Sequence, residues 1–490
     1  MESLTYRGFL RQMLSIQSVV TPQSKELCSL PIILLMPRSL HGRKYSSFAR
    51  PMPVEVVANI FDFAAHSSHD PISQSISVSH VCRQWRQISL STPSLWTFIH
   101  LSLPLSRSQL TRTCAWIIRS RNRPLDIYMD FRDPSWNWDE ASHVFGSMAM
   151  ESIMRFLVPH ASRWRSIELL TDTWAPIFMF LTCTVAIETT PLLQSIRLAR
   201  CNEYFVARDE EFQPAELALP VAWFGSGTSL SHLRHVSLSG VHVDWTQSGL
   251  TGLRELELRY HARDVMPTLS EFQRILSANA TLERFVILGW GPQMDHRSEK
   301  ERESDALPTM ELPKLEELEF GFVDVGYGID LLSLFTLPKL RVLSVEDVAF
   351  GIQLCERQDC SLLLDHLVEM SATESRLPLA SLHELSLRSI HADEVSIQRL
   401  FGRLGALTSL CLDRVDATPL LAMSATLAKG CGQLQVLTLK NVGAATVALV
   451  LSTRSFPARL RIFLDIDDDD VDQDEKGEVD CPCNSFLVRS

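Results

Sequence analysis

The stretch LPKLEELEF (residues 312–320) is followed by a near copy of itself, LPKLRVLSV (residues 337–345). In both, a leucine is followed three and five positions later by two more apolar residues. This L-x-x-L-x-L pattern recurs at intervals of 20 to 42 residues, and all but one of its copies begin with leucine. Such self-similarity is typical of repeat architectures. The copies begin at Trp164, Leu193, Leu233, Leu253, Leu282, Leu315, Leu340, Leu382, Leu407 and Leu434.

Each copy alternates as a β-strand requires, because successive side chains of a strand point to opposite faces. Segments with helical spacing lie between copies, such as SEFQRILSANA (residues 270–280) and SLLLDHLVEM (residues 361–370). One strand-helix pair cannot bury its apolar face alone, whereas stacked pairs can. We therefore predict an α/β (α+β) chain with a leucine-rich-repeat solenoid, or horseshoe, over residues 100–463. A doubly wound sheet uses similar strands, but no glycine-rich phosphate loop follows them.

The third, fifth and seventh residues of each copy define the polar face of the predicted sheet. A solenoid usually offers such a face to its partner. Acidic residues concentrate in the middle copies, which favours a protein substrate of basic or mixed charge and argues against nucleic acid. Alternatively, these charges only keep the sheet soluble. Val286, Leu288 and Trp290 are expected to be exposed apolar anchors. The charged candidates for substrate binding are Glu255, Glu257, Arg259, Arg284, Glu317, Glu319, Glu346, Glu384 and Arg388.

The composition indicates a protein of a reducing compartment. The 490 residues are 46% hydrophobic, which is ample for a core, and the 11 cysteines form no CxxC pair. We find no secretory signal, and the run LPIILLM (residues 30–36) is far shorter than the roughly 20 residues of a membrane-spanning helix. We expect a cytoplasmic or nuclear location, or both, and no membrane partner.

The net charge of −12 is unevenly distributed along the chain. The first 50 residues hold seven Lys and Arg against two Glu, whereas residues 464–480 hold ten acidic residues and one lysine. We predict a disordered leader over residues 1–50 and an acidic disordered tail over residues 464–490. The leader is alternatively a transit peptide, and the tail is alternatively a docking site for a basic partner.

Motifs for catalysis and metal binding are missing from the sequence. It contains no P-loop, no HExxH, no GxSxG and no glycine-rich dinucleotide loop. HSSHD (residues 66–70) is interpreted as a solvated loop, and CPC (residues 481–483) lacks the second ligand pair of a zinc site. We expect no enzymatic activity, no metal and no cofactor. An enzyme with an unrecognised pocket remains an alternative.

Residues 51–99 are predicted to form a small helical unit ahead of the repeats. PMPVEVVANIFDFA (residues 51–64) begins with prolines and an early acidic residue, which suit the first turn of a helix. A second helix is predicted around ISVSHVCRQWRQIS (residues 76–89), and Trp96 follows the stop at Pro93. Because small units hide only about 60% of their chain's surface, we expect a docked partner to cover part of this one.

These residues resemble an F-box, which opens with Leu-Pro and a helix carrying an acidic residue and an Ile-Phe pair. A vCr.Wr.ia helix, a proline and Leu-Trp follow in that family. Met52 stands where the family has leucine. WIIRSRNRPLDIYM (residues 116–129) and the irregular repeats also resemble the large F-box families of mushroom-forming (basidiomycete) fungi. The matching positions are Pro53, Glu55, Val56, Ile60, Phe61, Val81, Cys82, Arg83, Trp85, Arg86, Ile88, Pro93, Leu95 and Trp96.

The resemblance implies an adaptor with a small three-helix F-box. Its F-box would bind the Skp1-type subunit of a cullin-RING (Skp1-cullin-F-box) ubiquitin ligase, and its repeats would hold a protein substrate. The main alternative is a leucine-rich-repeat scaffold unrelated to ubiquitin. The resemblance assigns the Skp1-type interface to Met52, Pro53, Val56, Ile60, Phe61, Val81, Trp85, Leu95 and Trp96.

Overall fold

The computed structural model of the chain describes residues 52–67, 70–137, 139–200, 211–226, 230–294, 309–351, 357–372, 376–415, 419, 433–443 and 460–465. These residues divide after Asp126 into two compact units. The predicted leader over residues 1–50 lies outside the described residues, as does the predicted tail apart from its first two residues. The first unit is mainly helical, and the second combines helices with a parallel sheet.

The first unit begins with three helices, α1, α2 and α3, and continues through a 3-10 turn, a strand and a further helix. These elements are α1 (Val54–His66), α2 (Pro71–His80), α3 (Arg83–Ser91), the 3-10 turn Pro93–Trp96, β1 (Phe98–Ser102) and α4 (Arg107–Arg119). Helix α4 ends at Arg119, and the next strand begins at Leu125. The unit therefore extends beyond the boundary predicted at residue 99.

The prediction of a single helix over residues 76–89 is wrong, because capping residues divide this segment into two helices. The Asp70 carboxylate accepts hydrogen bonds from Ile72 N at 3.1 Å and Ser73 N at 3.0 Å, which starts α2 earlier than expected. Cys82 has extended backbone angles, and its sulfur accepts a hydrogen bond from Trp85 N at 3.5 Å. The chain therefore leaves the helical conformation at Cys82 before α3 begins.

The second unit alternates strands and helices. Its strands, the first of which begins two residues before the division, are β2 (Leu125–Asp130), β3 (Trp164–Thr171), β4 (Ser195–Arg200), β5 (His235–Ser239), β6 (Glu255–Arg259), β7 (Arg284–Leu288), β8 (Met310–Glu311), β9 (Glu317–Phe322), β10 (Phe335–Thr336), β11 (Val342–Asp347), β12 (Glu384–Arg388), β13 (Ser409–Asp413), β14 (Val436–Lys440) and β15 (Arg461–Asp465). Its helices of eight residues or more are α5 (Ser147–Leu157), α6 (Trp174–Thr184), α7 (Leu269–Ser277), α8 (Val325–Ser333), α9 (Ser361–Ala372) and α10 (Glu394–Phe401).

Every copy of the leucine pattern forms a strand, which confirms the predicted strand positions. From β3 to β15 the strands pair in parallel and in chain order, except that β8 and β10 form a separate pair. The register aligns equivalent positions of neighbouring copies, so that Leu256, Phe285 and Leu318 form one buried row. The boundary predicted after residue 463 falls inside β15, since Leu464 and Asp465 still pair with β14.

The helical segments between copies also fold as predicted. In α7, Thr268 and Glu271 form a capping box, and Phe272, Ile275 and Leu276 are buried. In α9, Leu363, Leu367 and Met370 are likewise buried on one side. A strand and the helix that follows it therefore bury their apolar faces together, and this arrangement builds the core of the second unit.

Two buried histidines, His242 and His261, lie just beyond the ends of β5 and β6. His242 Nε2 lies 3.0 Å from Ala218 O, and His261 Nε2 lies 2.8 Å from Val241 O. Burial lowers the pKa of both imidazoles from 6.5 to about 4. Between these pH values the unfolded chain binds more protons than the folded chain, so stability falls as the pH falls from about 6.5 to about 4.

We expect each histidine to remove about 2 kcal/mol of stability between pH 7 and pH 5. The measurement is the urea unfolding midpoint of the second unit at both pH values, for the wild type and His261→Gln. The variant should lose less stability on acidification than the wild type. His232→Gln, at an exposed histidine, is the control and should behave as the wild type. An identical acid response in all three proteins would contradict the prediction.

Candidate partner-binding surfaces

Exposed apolar side chains gather on and beside α1 in the first unit. Ile60 is 50% exposed and Phe63 74% exposed, whereas the neighbouring Phe61 is only 2% exposed. The Phe61 ring packs against Trp85, with ring centroids 4.7 Å apart. The helix therefore buries one side and leaves the other without a cover from the described residues. We define the apolar surface by its exposed residues, which are Met52, Val54, Val56, Ile60, Phe63 and Val81.

The residues that the F-box resemblance assigned to the Skp1-type interface divide into two groups. Met52, Pro53, Val56, Ile60 and Val81 are exposed. Trp85 is half-buried, and Phe61, Leu95 and Trp96 are buried. The buried residues join helices of the unit, since Phe61 of α1 packs against Trp85 of α3 and Trp96 donates a hydrogen bond to Ser89 O of α3. Val54 and Phe63 were not among the assigned residues, although the spacing of Val56, Ile60 and Phe63 along one helical face marks Phe63.

Trp96 in the 3-10 turn packs against and hydrogen-bonds to two helices of the first unit, α3 and α4. Its indole Nε1 donates a hydrogen bond to Ser89 O in α3 at 2.9 Å. Its ring meets Trp116 of α4 edge-on, with ring centroids 5.3 Å apart, and the Arg119 guanidinium lies 4.8 Å from its ring centroid. Trp96 is 1% exposed. It is therefore a core residue of the first unit.

The polar face of the sheet carries a network of ion pairs centred on Glu319. Its carboxylate accepts hydrogen bonds from Arg259 Nη2 at 2.9 Å, Arg284 Nη2 at 3.4 Å and Arg388 Nη1 at 3.1 Å. Arg284 also donates to Glu257 and, through Nε, to Glu317 at 2.9 Å. Glu319 is buried even though it lies on the polar face, because the arginines cover it. The network neutralises much of the acidic charge that the sequence places on this face.

A second carboxylate, Glu346, extends the network to the next strands. It lies 3.4 Å from Arg388 Nη1 and 3.7 Å from Arg414 Nη2. Burial raises the pKa of the Glu346 carboxyl, and the two arginines offset only part of this effect. At Glu257 burial also acts to raise the pKa, but hydrogen bonds from Arg284 and Ser237 outweigh it, so that the pKa is lowered.

The other carboxylates of the polar face are more accessible than Glu319 and Glu346. Glu255 is half-buried, with 43% of its side chain exposed, and lies 3.3 Å from His235 Nδ1. Among the described residues Glu317 forms one ion pair, with Arg284. Glu384 is exposed, and no described residue forms an ion pair with it. The surface that a partner would meet is therefore of mixed charge, with Glu384 and Glu255 as its accessible carboxylates.

The expectation that Val286, Leu288 and Trp290 are exposed is wrong. Val286 and Leu288 are 0% and 1% exposed, because Val348, just after β11, and Tyr260 pack over them. Gly321 allows this close packing, since a Cβ there would lie 2.8 Å from both Leu288 Cδ2 and Val348 Cγ2. Trp290 is also buried, with its ring centroid 5.0 Å from that of Tyr327.

The residues of the candidate metal motifs HSSHD and CPC either make other contacts or lie outside the described residues. His66 Nδ1 lies 2.8 Å from Asp62 O, and Asp70 caps α2, while residues 68 and 69 of HSSHD and all of CPC lie outside the described residues. Within the ranges that the structure describes, no cluster of three His, Cys, Asp or Glu could hold a metal ion. None of the helices in these ranges has the length and apolar character needed to cross a bilayer.

Comparison with known families identifies the first part of the first unit. Residues 51–102 match the family model described as F-box-like. The apolar surface and Trp96 lie within this F-box-like domain, whereas Trp116 and Arg119, which pack on Trp96, follow it in the chain. No curated protein matches the chain. The solved structures that match include the crystal structure of the Rad7 and Elc1 complex in yeast, at 12% sequence identity and a TM-score of 0.32, with 84% of this chain and 92% of that chain covered.

Proposed function

We propose that this protein is a substrate-receptor subunit of a Skp1-cullin-F-box ubiquitin ligase. In this role the F-box-like domain binds a Skp1-type adaptor and, through it, a cullin. The match of residues 51–102 to the F-box-like model supports the proposal. The observation that carries it is the apolar surface, whose residues Val54, Val56, Ile60 and Phe63 lie along a single helix and are not covered by the described residues. An exposed group of apolar side chains of this kind marks a protein interface.

The proposed role of the repeats is to hold a protein substrate on the polar face of a leucine-rich solenoid. The mixed-charge network around Glu319 and the accessible Glu255 and Glu384 favour a substrate of basic or mixed charge. The chain itself does no chemistry in this proposal, and nucleic acid and membranes are not partners. Its place of action is the cytoplasm, the nucleus or both. We also propose that the protein belongs to the fungal F-box families that its sequence resembles.

The test is co-purification of a Skp1-type protein with the intact chain and with Ile60→Asp. An unpaired carboxylate buried in the interface costs several kcal/mol, so we expect recovery to fall at least about 100-fold. Ile118→Asp is the matched control, because Ile118 is an isoleucine of the same unit that is 64% exposed on α4, outside the apolar surface. Circular dichroism should show both variants folded. Phe61 is not used, since its 2% exposure makes an aspartate there a folding defect.

Equal recovery with the wild type and with Ile60→Asp would remove the basis of the adaptor proposal. The scaffold alternative, in which the repeats bind a partner without any link to ubiquitin, predicts that no Skp1-type protein co-purifies with the intact chain. It also predicts that deletion of residues 51–99 leaves the main interaction of the chain unchanged. An equal loss in Ile118→Asp would instead show that any added charge on the unit prevents binding, and would count against an interface on α1.

A further inference from the structure

A cleft of about 330 Å³ opens in the first unit between α2 and α3 on one side and α4 on the other. This volume lies in the range of about 300 to 1,000 Å³ that is usual for small-molecule sites. The buried indoles of Trp96 and Trp116 line it, together with the apolar side chains of Ile76 and Leu90. Of the residues assigned to the Skp1-type interface, the buried Trp96 is the one that lines the cleft, so the cleft is separate from the apolar surface.

Cationic side chains surround this cleft. Arg86 of α3 and Arg112 and Arg119 of α4 line it, His80 at the end of α2 joins them, and none of the lining residues is acidic. Among the described residues, no carboxylate forms an ion pair with any of the three arginines. Several other described arginines are paired, as Arg132 is with Asp130 and Arg399 with Asp365. The cleft therefore concentrates positive charge that no described carboxylate pairs with.

The three guanidinium groups also retain free hydrogen-bond donors. Each guanidinium has five N–H donors. Arg112 uses Nη2 in one hydrogen bond, to His100 O at 3.3 Å. Arg119 contacts the Trp96 ring, and Arg86 makes no side-chain hydrogen bond within the described residues. Burial lowers the pKa of Arg112, and the more distant Asp70 offsets this only in part. Arg112 and Arg119 are half-buried and Arg86 is exposed. A bound anion would replace the water that the two half-buried groups have lost.

We propose that this cleft binds a small organic phosphate. Its phosphate group would accept hydrogen bonds from Arg86, Arg112 and Arg119, and its apolar portion would pack against Ile76, Leu90 and the indoles. A phosphate has three terminal oxygens and about two negative charges, which suit three guanidinium groups that line one cleft better than a single carboxylate does. The proposal does not depend on the adaptor function.

The test is calorimetric titration of the full chain with phenyl phosphate, with inorganic phosphate as the second probe. We expect one saturable site for phenyl phosphate and weaker binding of inorganic phosphate, which lacks an apolar portion. Arg86→Gln combined with Arg119→Gln should weaken phenyl phosphate binding at least about tenfold, because two charge-assisted contacts are lost. Arg112 is left intact, since it also contacts the backbone.

The matched control combines Arg83→Gln with Arg107→Gln. These exposed arginines lie on the same two helices, α3 and α4, and do not line the cleft, so the control removes the same net charge. We expect its affinity to stay within about twofold of the wild type, because exposed charges at a distance are screened by salt. The proposal fails if the wild type shows no saturable binding up to about 10 mM phenyl phosphate, an affinity too weak for a formed site. It also fails if both double variants lose affinity equally.

Discussion

Replacing Trp96 by alanine will lower the free energy of unfolding of the first unit by about 3 to 5 kcal/mol. The side chain is 1% exposed and packs on Trp116, so its removal leaves a cavity between α3 and α4. The change also leaves Ser89 O without its 2.9 Å hydrogen bond from the indole. We expect a lower urea denaturation midpoint than that of the wild type. We also expect faster hydrogen exchange than in the wild type in peptides from residues 70–126.

Trp96→Phe separates the two contributions. Phenylalanine keeps an aromatic ring in the core but cannot donate to Ser89 O, so we expect a smaller loss, on the order of 1 to 2 kcal/mol. Trp85→Ala, at a half-buried tryptophan of the same unit, should also cost less than Trp96→Ala. An ordinary substitution changes the free energy of unfolding by about 1 kcal/mol. If Trp96→Ala lowers it by no more than this, Trp96 is not the core residue that its contacts indicate.

Glu319→Gln will destabilise the second unit by about 2 to 3 kcal/mol, since it removes the negative partner at the centre of a mostly buried network. Glutamine keeps the shape of the side chain but leaves Arg259, Arg284 and Arg388 facing one another without the shared carboxylate. The partial exposure of these arginines keeps the expected cost below that of a fully buried pair. The measurement is the midpoint of urea denaturation at low ionic strength.

Glu384→Gln is the matched control on the same face. It removes the same charge from β12, which lies two strands from β9 in the same sheet, but Glu384 is exposed and forms no ion pair with a described residue. We expect a change within about 0.5 kcal/mol, as is usual for exposed charges. Equal effects of the two substitutions would mean that the network around Glu319 contributes nothing beyond the net charge of the sheet.

The sequence predicted the strands of the second unit because each copy carries its own signal. An alternation such as LRELEL specifies a strand and its buried side within six residues, and the leading leucine repeats from copy to copy. The burial of Val286 and Leu288 could not be predicted in this way. It depends on Val348, which is distant in sequence, and on the missing Cβ of Gly321. When a later segment of the chain covers a strand, the local sequence pattern of that strand does not indicate it.

The candidate interface in the first unit was predictable in position but not in detail. The motif placed an F-box at residues 51–99, and the F-box-like family model matches residues 51–102. The motif nevertheless treats Ile60 and Phe61 as a pair, whereas Ile60 is exposed and Phe61 is buried. Which of two adjacent helical residues faces solvent depends on how α1 packs on Trp85. The break at Cys82 was missed for a similar reason, because a cysteine that caps a helix looks like one more apolar residue in a helical pattern.

The ion pairs of the polar face could not be predicted from the local sequence either. Glu319 and Arg388 are 69 residues apart in sequence, and their contact follows from the strand register rather than from any local motif. A count of acidic residues therefore overstates the negative charge that a partner would meet.

The most direct test of the adaptor proposal is calorimetric titration of the purified full chain with a purified Skp1-type protein. The proposal predicts one-to-one binding with a Kd of about 1 μM or tighter, retained in Ile118→Asp and lost in Ile60→Asp. No detectable binding at about 50 μM, or binding that Ile60→Asp leaves intact, would contradict it.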